Sequence, residues 1–141
     1  MLDTLFQTAN LVALVGWLAL LVSPWAPRWA DRIGGFAIPV VLSLGYVTLL
    51  IAFWGSGDGG FSTFDGVAAL FSSREVLLAG WVYYLAFDLF VGGWEVREAR
   101  RRALPFAAVV PCLVLTFLAG PLGLALFLLL RRALRGRAAV T

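Results

Sequence analysis

The sequence predicts an all-α integral membrane protein, a four-helix bundle with a short interfacial helix between the second and third spans. Composition is the first reason. Apolar residues make up 62% of the 141-residue chain and charged residues only 13%, whereas soluble domains carry about 25% charged residues. Patterning is the second. The apolar residues gather into four runs, about 5–22, 36–54, 76–94 and 106–130, and roughly 20 helical residues cross the hydrocarbon of a bilayer. The whole chain, 1–141, then reads as one membrane domain. Its start does not read as a secretory signal, because Asp3 is the only charge before the first run and no basic segment precedes it.

The first run is apolar apart from Gln7, Thr8 and Asn10, and Ala13 and Gly16 offer small surfaces for a neighbouring helix. Residues 23–35 (SPWAPRWADRIGG) read as a loop. Its Trp25, Arg28, Trp29 and Arg32 form an interfacial belt of aromatic and basic side chains. The second run has Pro39 in its first turn, where a missing N–H is tolerated, and Tyr46 at mid-span. A buried phenol needs a hydrogen-bond partner. Residues 55–75 are the longest polar segment, with a flexible Gly-rich start that matches no phosphate-binding motif. A weak capping box at Ser62–Asp65 opens a short helix that sets Phe61, Phe64, Ala68 and Phe71 on one face, suited to the membrane interface or to lidding a cavity. A plain surface loop is the alternative.

The third run, residues 76–94, contains one carboxylate, Asp88, in its middle. A charge at the bilayer centre costs at least about 2.5 kcal/mol, so Asp88 is expected to face protein or a cavity. Trp81, Tyr84, Asp88 and Glu95 share its helical face, Tyr83 lies off it, and Gly92-Gly93 permit close approach of another helix. Residues 95–104 (EVREARRRAL) read as a charged extension outside the bilayer. The fourth run is longer than a span requires. Pro111 and Pro121 are expected to kink it and free carbonyls toward protein or a cavity.

All basic residues are arginines, and the chain has no histidine and one cysteine, Cys112. Bis-histidine haem, histidine metal sites and Ser-His or Cys-His nucleophiles are therefore excluded, as is an internal disulfide. No metal or redox cofactor is expected. No basic patch interleaved with aromatics is available to track a phosphate backbone, so nucleic acid is not an expected partner. The arginines belong beside headgroups of the lipid bilayer. With four crossings, Arg74, Arg131, Arg132, Arg135 and Arg137 lie on one side and Arg28, Arg32, Arg97, Arg100, Arg101 and Arg102 on the other, five against six. That near-balance does not set the orientation; the first helix has Arg only after it, which is read as termini outside.

The run WVYYLAFDLFVGGWE, followed by LPFAAVVPCLVLTFLAGPLGLALFLLLRR, resembles the small membrane family named for abscisic-acid-deficient four. The matching residues are Trp81, Asp88, Gly92, Trp94, Pro111, Cys112, Thr116, Gly120 and Pro121. Tyr83 and Phe106 stand where a histidine is expected, and Gly93 where a basic residue is common. Plant members of the family are associated with neoxanthin synthesis from violaxanthin. The resemblance implies a carotenoid or xanthophyll as ligand or bound pigment, and a cofactor-independent isomerase of epoxy-carotenoids if the protein is an enzyme. Asp88 is then the acid, since a carboxyl in an apolar site keeps its proton near neutrality, with Tyr83 and Tyr84 orienting it or shuttling protons. Tyr46, Trp81, Trp94, Cys112 and Thr116 are the expected ligand-binding residues. The competing expectation is a non-catalytic accessory or pigment-binding subunit of a larger membrane complex, photosynthetic or otherwise. The alternative to an acid at Asp88 is a packing role, in which it caps or crosslinks helices through Tyr46, Ser43, Asn10 or Thr116. Localisation is expected to be a bacterial inner (cytoplasmic) or photosynthetic membrane.

Overall fold

Long stretches of Leu, Val, Ala and Phe offer the backbone no polar side chains, and in lipid only a helix satisfies N–H and C=O groups within one segment. The computed structural model describes residues 1–55 and 57–138, with side chains through residue 134, and is all-helical among them. Helix α1 is Leu2–Leu21, α2 is Pro27–Arg32, a π turn covers Ile33–Ala37, and α3 is Ile38–Ala52. Then follow α4, Phe64–Ser72, α5, Arg74–Arg101, and α6, Phe106–Ala138. Four helices are long and apolar enough to cross a membrane: Leu2–Leu21, Pro27–Ala52, Arg74–Arg101 and Phe106–Leu134.

Helix α5 is the centre. Within its most apolar stretch 44% of residues are buried, against 17–28% in the other three, and α1, α3, α4 and α6 all pack on it. Helix α1 runs alongside α5 in the same direction: Arg74 pairs with Asp3 at one end, and Trp17 and Leu20 lie over Gly92 toward the other. Helix α3 runs the opposite way, from Gly35 against Gly93 to Tyr46 against Tyr83. The core includes Trp17, Leu20, Leu42, Leu85, Leu89, Val96, Val109, Leu113 and Phe127. Outward-facing Leu11, Leu18, Leu44, Ile51, Phe87, Leu118 and Leu129 are exposed.

Two segments differ from the expectations, and a third, the short helix in 55–75, differs only in its cap. The loop expected over 23–35 is helical from Pro27 onward, because Pro27 takes a first-turn position and Gly34-Gly35 continue the helix as a π turn instead of breaking it. A Cβ at Gly34 would meet the Gly16 carbonyl oxygen at 2.6 Å, and one at Gly35 the Arg97 guanidinium, so close packing sets the backbone there. The short helix in 55–75 forms, capped by Thr63, whose Oγ1 accepts from the Gly66 N–H at 3.0 Å. The segment 95–104 is not an exposed extension: α5 continues to Arg101, and Glu95 and Glu98 are both buried.

The fourth run holds the largest departure. Ala119 has non-helical angles (φ −154°, ψ 62°), and the helix reverses there. A Cβ on Gly123 would strike the Thr116 backbone and hydroxyl, although in a continuous helix residues seven apart are about 10.5 Å apart along the axis. The descending arm, 106–118, places Thr116 on Glu95 and the Leu118 carbonyl by Tyr84. The returning arm, from 120, passes Asp88 at Gly120, Trp94 at Phe127 and Glu98 at Arg131. Pro121 lacks the N–H that would continue the descending ladder, and Gly120 and Gly123 on either side of it let the chain fold back against Asp88 and Thr116.

The hairpin closes only because residue 123 has no side chain. Gly123→Ala is expected to lower stability by about 1–3 kcal/mol, the usual cost of overpacking. Gly45→Ala, with nothing within 4 Å of the added Cβ, is expected to be neutral or mildly stabilising. Thermal unfolding of the two variants in detergent checks this.

Candidate functional site

The apolar interior formed by α5 and the α6 hairpin encloses two carboxylates. Asp88 lies in the middle of α5 and Glu95 two turns later on the same face. The glycine at position 120 makes room for the first: an added Cβ would collide with the Asp88 carboxylate. Asp88 Oδ2 is buried without a hydrogen-bond partner among the described residues. The Tyr84 hydroxyl stands beside that carboxylate and donates to the Leu118 carbonyl at 3.3 Å. That carbonyl precedes the break at Ala119, so the tyrosine satisfies a backbone group that the reversal frees.

Glu95 is fully buried, at 0% exposure. Thr116 Oγ1, itself at 0%, lies 3.0 and 3.1 Å from its two oxygens. Cys112, one turn before Thr116, is also buried near Glu95, and its thiol points to the Ala108 carbonyl at 3.8 Å. Glu95 and Asp88 are close enough for their charges to interact. Neither carboxylate is ion-paired among the described residues.

The ion pairs near this end of α5 form around other acids. Glu98 at the end of α5 collects Arg131 at 3.1 Å, Arg101 at 3.6 Å and Arg102. Arg131 also lies 5.7 Å over the Trp94 ring. Arg100 pairs with Asp31, and Arg97 donates to the Gly35 carbonyl at 3.4 Å. Gly93 lets this happen, since a Cβ there would meet Gly35 Cα at 2.8 Å.

The residues anticipated from sequence are brought together only in part. Asp88 and Tyr84 form one cluster, and Thr116 and Cys112 gather around Glu95. Trp81 stacks on Tyr84 (centroids 5.4 Å, 25°) and donates from its indole N–H to Asn10 Oδ1 at 3.2 Å. Trp94 packs edge-on against Phe127, away from that stack. Tyr83 is exposed and contacts Phe87 and Tyr46. Of the crosslinking partners considered for Asp88, Thr116 bonds to Glu95, Ser43 to the Pro39 carbonyl and Asn10 to Trp81 and the Phe6 carbonyl. Glu95 was not among the expected site residues. Its signal is the seven-residue step from Asp88 on one helical face.

Two apolar grooves flank α5. One, of about 440 Å³, has Phe6, Phe71, Leu77, Trp81 and Tyr84 along it and the Asp3–Arg74 pair at its rim. The other, of about 410 Å³, lies between α3 and α5, with Phe36, Pro39, Val40, Phe87 and Phe90. Among the described residues no group of three His, Cys, Asp or Glu side chains is arranged to hold a metal.

A family model described as ABA DEFICIENT 4-like matches residues 4–127. No curated protein and no solved structure matches the chain.

Replacing Thr116 by valine leaves a fully buried carboxyl without its hydroxyl partner, so Thr116→Val is expected to cost about 1–3 kcal/mol of stability. Thr116→Ser, which restores the hydroxyl, is expected to recover most of it. Equal melting temperatures for the valine and serine variants would contradict the assigned bond.

Proposed function

This chain belongs to the ABA DEFICIENT 4-like family, and we propose that it binds or isomerises a carotenoid or xanthophyll within a multi-pass bundle, with Asp88 as the acid. The observation that carries this reading is the setting of Asp88. Its carboxylate occupies a gap shaped by Gly120, one oxygen has no described partner, and Tyr84 links it to the aromatic groove that also holds Trp81. Apolar walls with a few polar groups suit a rigid polyene carrying an oxygenated ring.

The chemistry asked of such a site is an internal rearrangement. The Asp88 carboxyl donates its proton to the epoxide oxygen, the C–O bond breaks with its electron pair going to that oxygen, and a hydroxyl forms. The cation left on the ring carbon is relieved when the neighbouring polyene carbon loses a proton to the carboxylate, which becomes a carboxyl again. Atoms and electrons balance without an oxidant or a metal. Tyr84 positions the carboxylate, while Glu95 and Thr116 hold the hairpin against α5. The host is a bacterial inner or photosynthetic membrane.

A second reading has its own support. The groove between α3 and α5 is apolar, opens on the outer surface and lacks a carboxylate. Such a surface fits a non-catalytic pigment-binding or accessory subunit that docks on a larger membrane complex.

Purified protein in lipid vesicles supplied with an epoxy-carotenoid such as violaxanthin separates the two. Catalysis predicts an isomer of unchanged mass, with turnover lowered about 10²–10⁴-fold in Asp88→Asn. Pigment that co-purifies unchanged with both wild type and Asp88→Asn would support the accessory role. A colourless protein that leaves the epoxide intact would remove the carotenoid reading.

A further inference from the structure

The reversal at Ala119 changes how the chain sits in a membrane. Each arm of α6 must be measured separately. The descending arm, 106–118, is about 20 Å long, well short of the roughly 30 Å of bilayer hydrocarbon. The returning arm climbs back beside α5, from Asp88 past Trp94 to Glu98. Its end therefore lies at the same end of α5 as the start of α6. Irregular backbone at membrane depth is tolerated where it is buried in protein. Here the tip meets that condition, with Tyr84 on the Leu118 carbonyl and Asp88 against Gly120.

We infer that the fourth apolar run is a re-entrant hairpin, so that the chain crosses the membrane three times and presents one arginine-rich face to the cytoplasmic leaflet. The arginines now separate. Arg28, Arg32, Arg97, Arg100, Arg101, Arg102, Arg131, Arg132, Arg135 and Arg137 stand at the end where α2 and α6 begin and where α5 and α6 finish, and only Arg74 stands at the other. Ten against one replaces five against six. The opposite end carries Asp3, Asp58, Asp65 and Glu75. Basic residues beside spans are retained on the cytoplasmic side, where anionic lipid headgroups also attract them. The N-terminus and α4 then face away from the cytoplasm. The groove lined by Phe6, Phe71, Trp81 and Tyr84 opens in the outer half of the bilayer, so an apolar ligand reaches Tyr84 from that leaflet.

Single cysteines in a Cys112→Ala background report the side of each end. Ser62→Cys, in the exposed segment before α4, and Ala133→Cys, exposed on the returning arm, are treated on intact cells with a membrane-impermeant maleimide, then again after the membrane is opened. Ser62→Cys is expected to react in intact cells and Ala133→Cys only after opening. Reaction of both from the same side would restore four crossings and overturn the inference, as would reaction of Ala133→Cys alone in intact cells. A C-terminal reporter that fluoresces only in the cytoplasm tests the otherwise unaltered chain. It is expected to be bright, and a dark, full-length fusion would overturn the orientation.

Discussion

A backbone that turns around among apolar side chains must find partners for the groups its helix no longer pairs, and that requirement shapes the whole interior. At Ala119 the partners come from α5. The tyrosine at position 84 takes the Leu118 carbonyl, and the carboxylate one turn later fits against Gly120. Removing the descending arm takes Thr116 from Glu95, and removing the returning arm takes Gly120 from Asp88. Leaving both arms but straightening the turn would pull Phe127 off Trp94 and Arg131 off Glu98. Fold and site are thus one object, and neither can be altered alone.

Small residues make that object compact. Gly34 and Gly35 meet Gly16 and Gly93 across helices, and Gly92 receives the Trp17 ring. Without a hydrophobic force between helices in lipid, such close approach supplies van der Waals contact directly. Polar groups then fix the register. Trp81 on Asn10, Arg74 on Asp3, Arg100 on Asp31 and Arg97 on the Gly35 carbonyl tie α1, α2 and the π turn to α5 at intervals along its length. The charged groups sit at the ends and the neutral or buried ones in the middle, as the cost of a charge at each depth requires.

Much of this is legible in the sequence, and the rest is hidden for identifiable reasons. Four apolar runs announce four long helices, because nothing else satisfies such a backbone in lipid. Asp88 announces itself as a lone acid in one of them. Pro27 is ambiguous: a proline reads equally as loop punctuation or as a first-turn residue, and only the packing of Gly34 and Gly35 decides for the helix. Glu95 lies at the boundary between apolar and charged sequence, where composition favours the surface and only tertiary contact with Thr116 draws it in. The hairpin is the hardest feature to read. Pro111 and Pro121 look alike on paper, yet α6 stays helical through the first and reverses beside the second, because Gly120 and Gly123 flank the second and permit contact with Asp88 and Thr116.

The distance between the two arms of α6 is the most direct check. Spin labels at Ala107 and Leu129, both exposed, in a Cys112→Ala background would sit about 33 Å apart along a continuous helix. In the hairpin they lie on adjacent antiparallel arms, whose axes are about 8–10 Å apart. Pulsed dipolar spectroscopy in lipid nanodiscs, with line broadening for the closest pairs, is expected to find a single short distance well under 33 Å. A dominant population near 33 Å would show a straight fourth span, and the site built on its reversal would not exist.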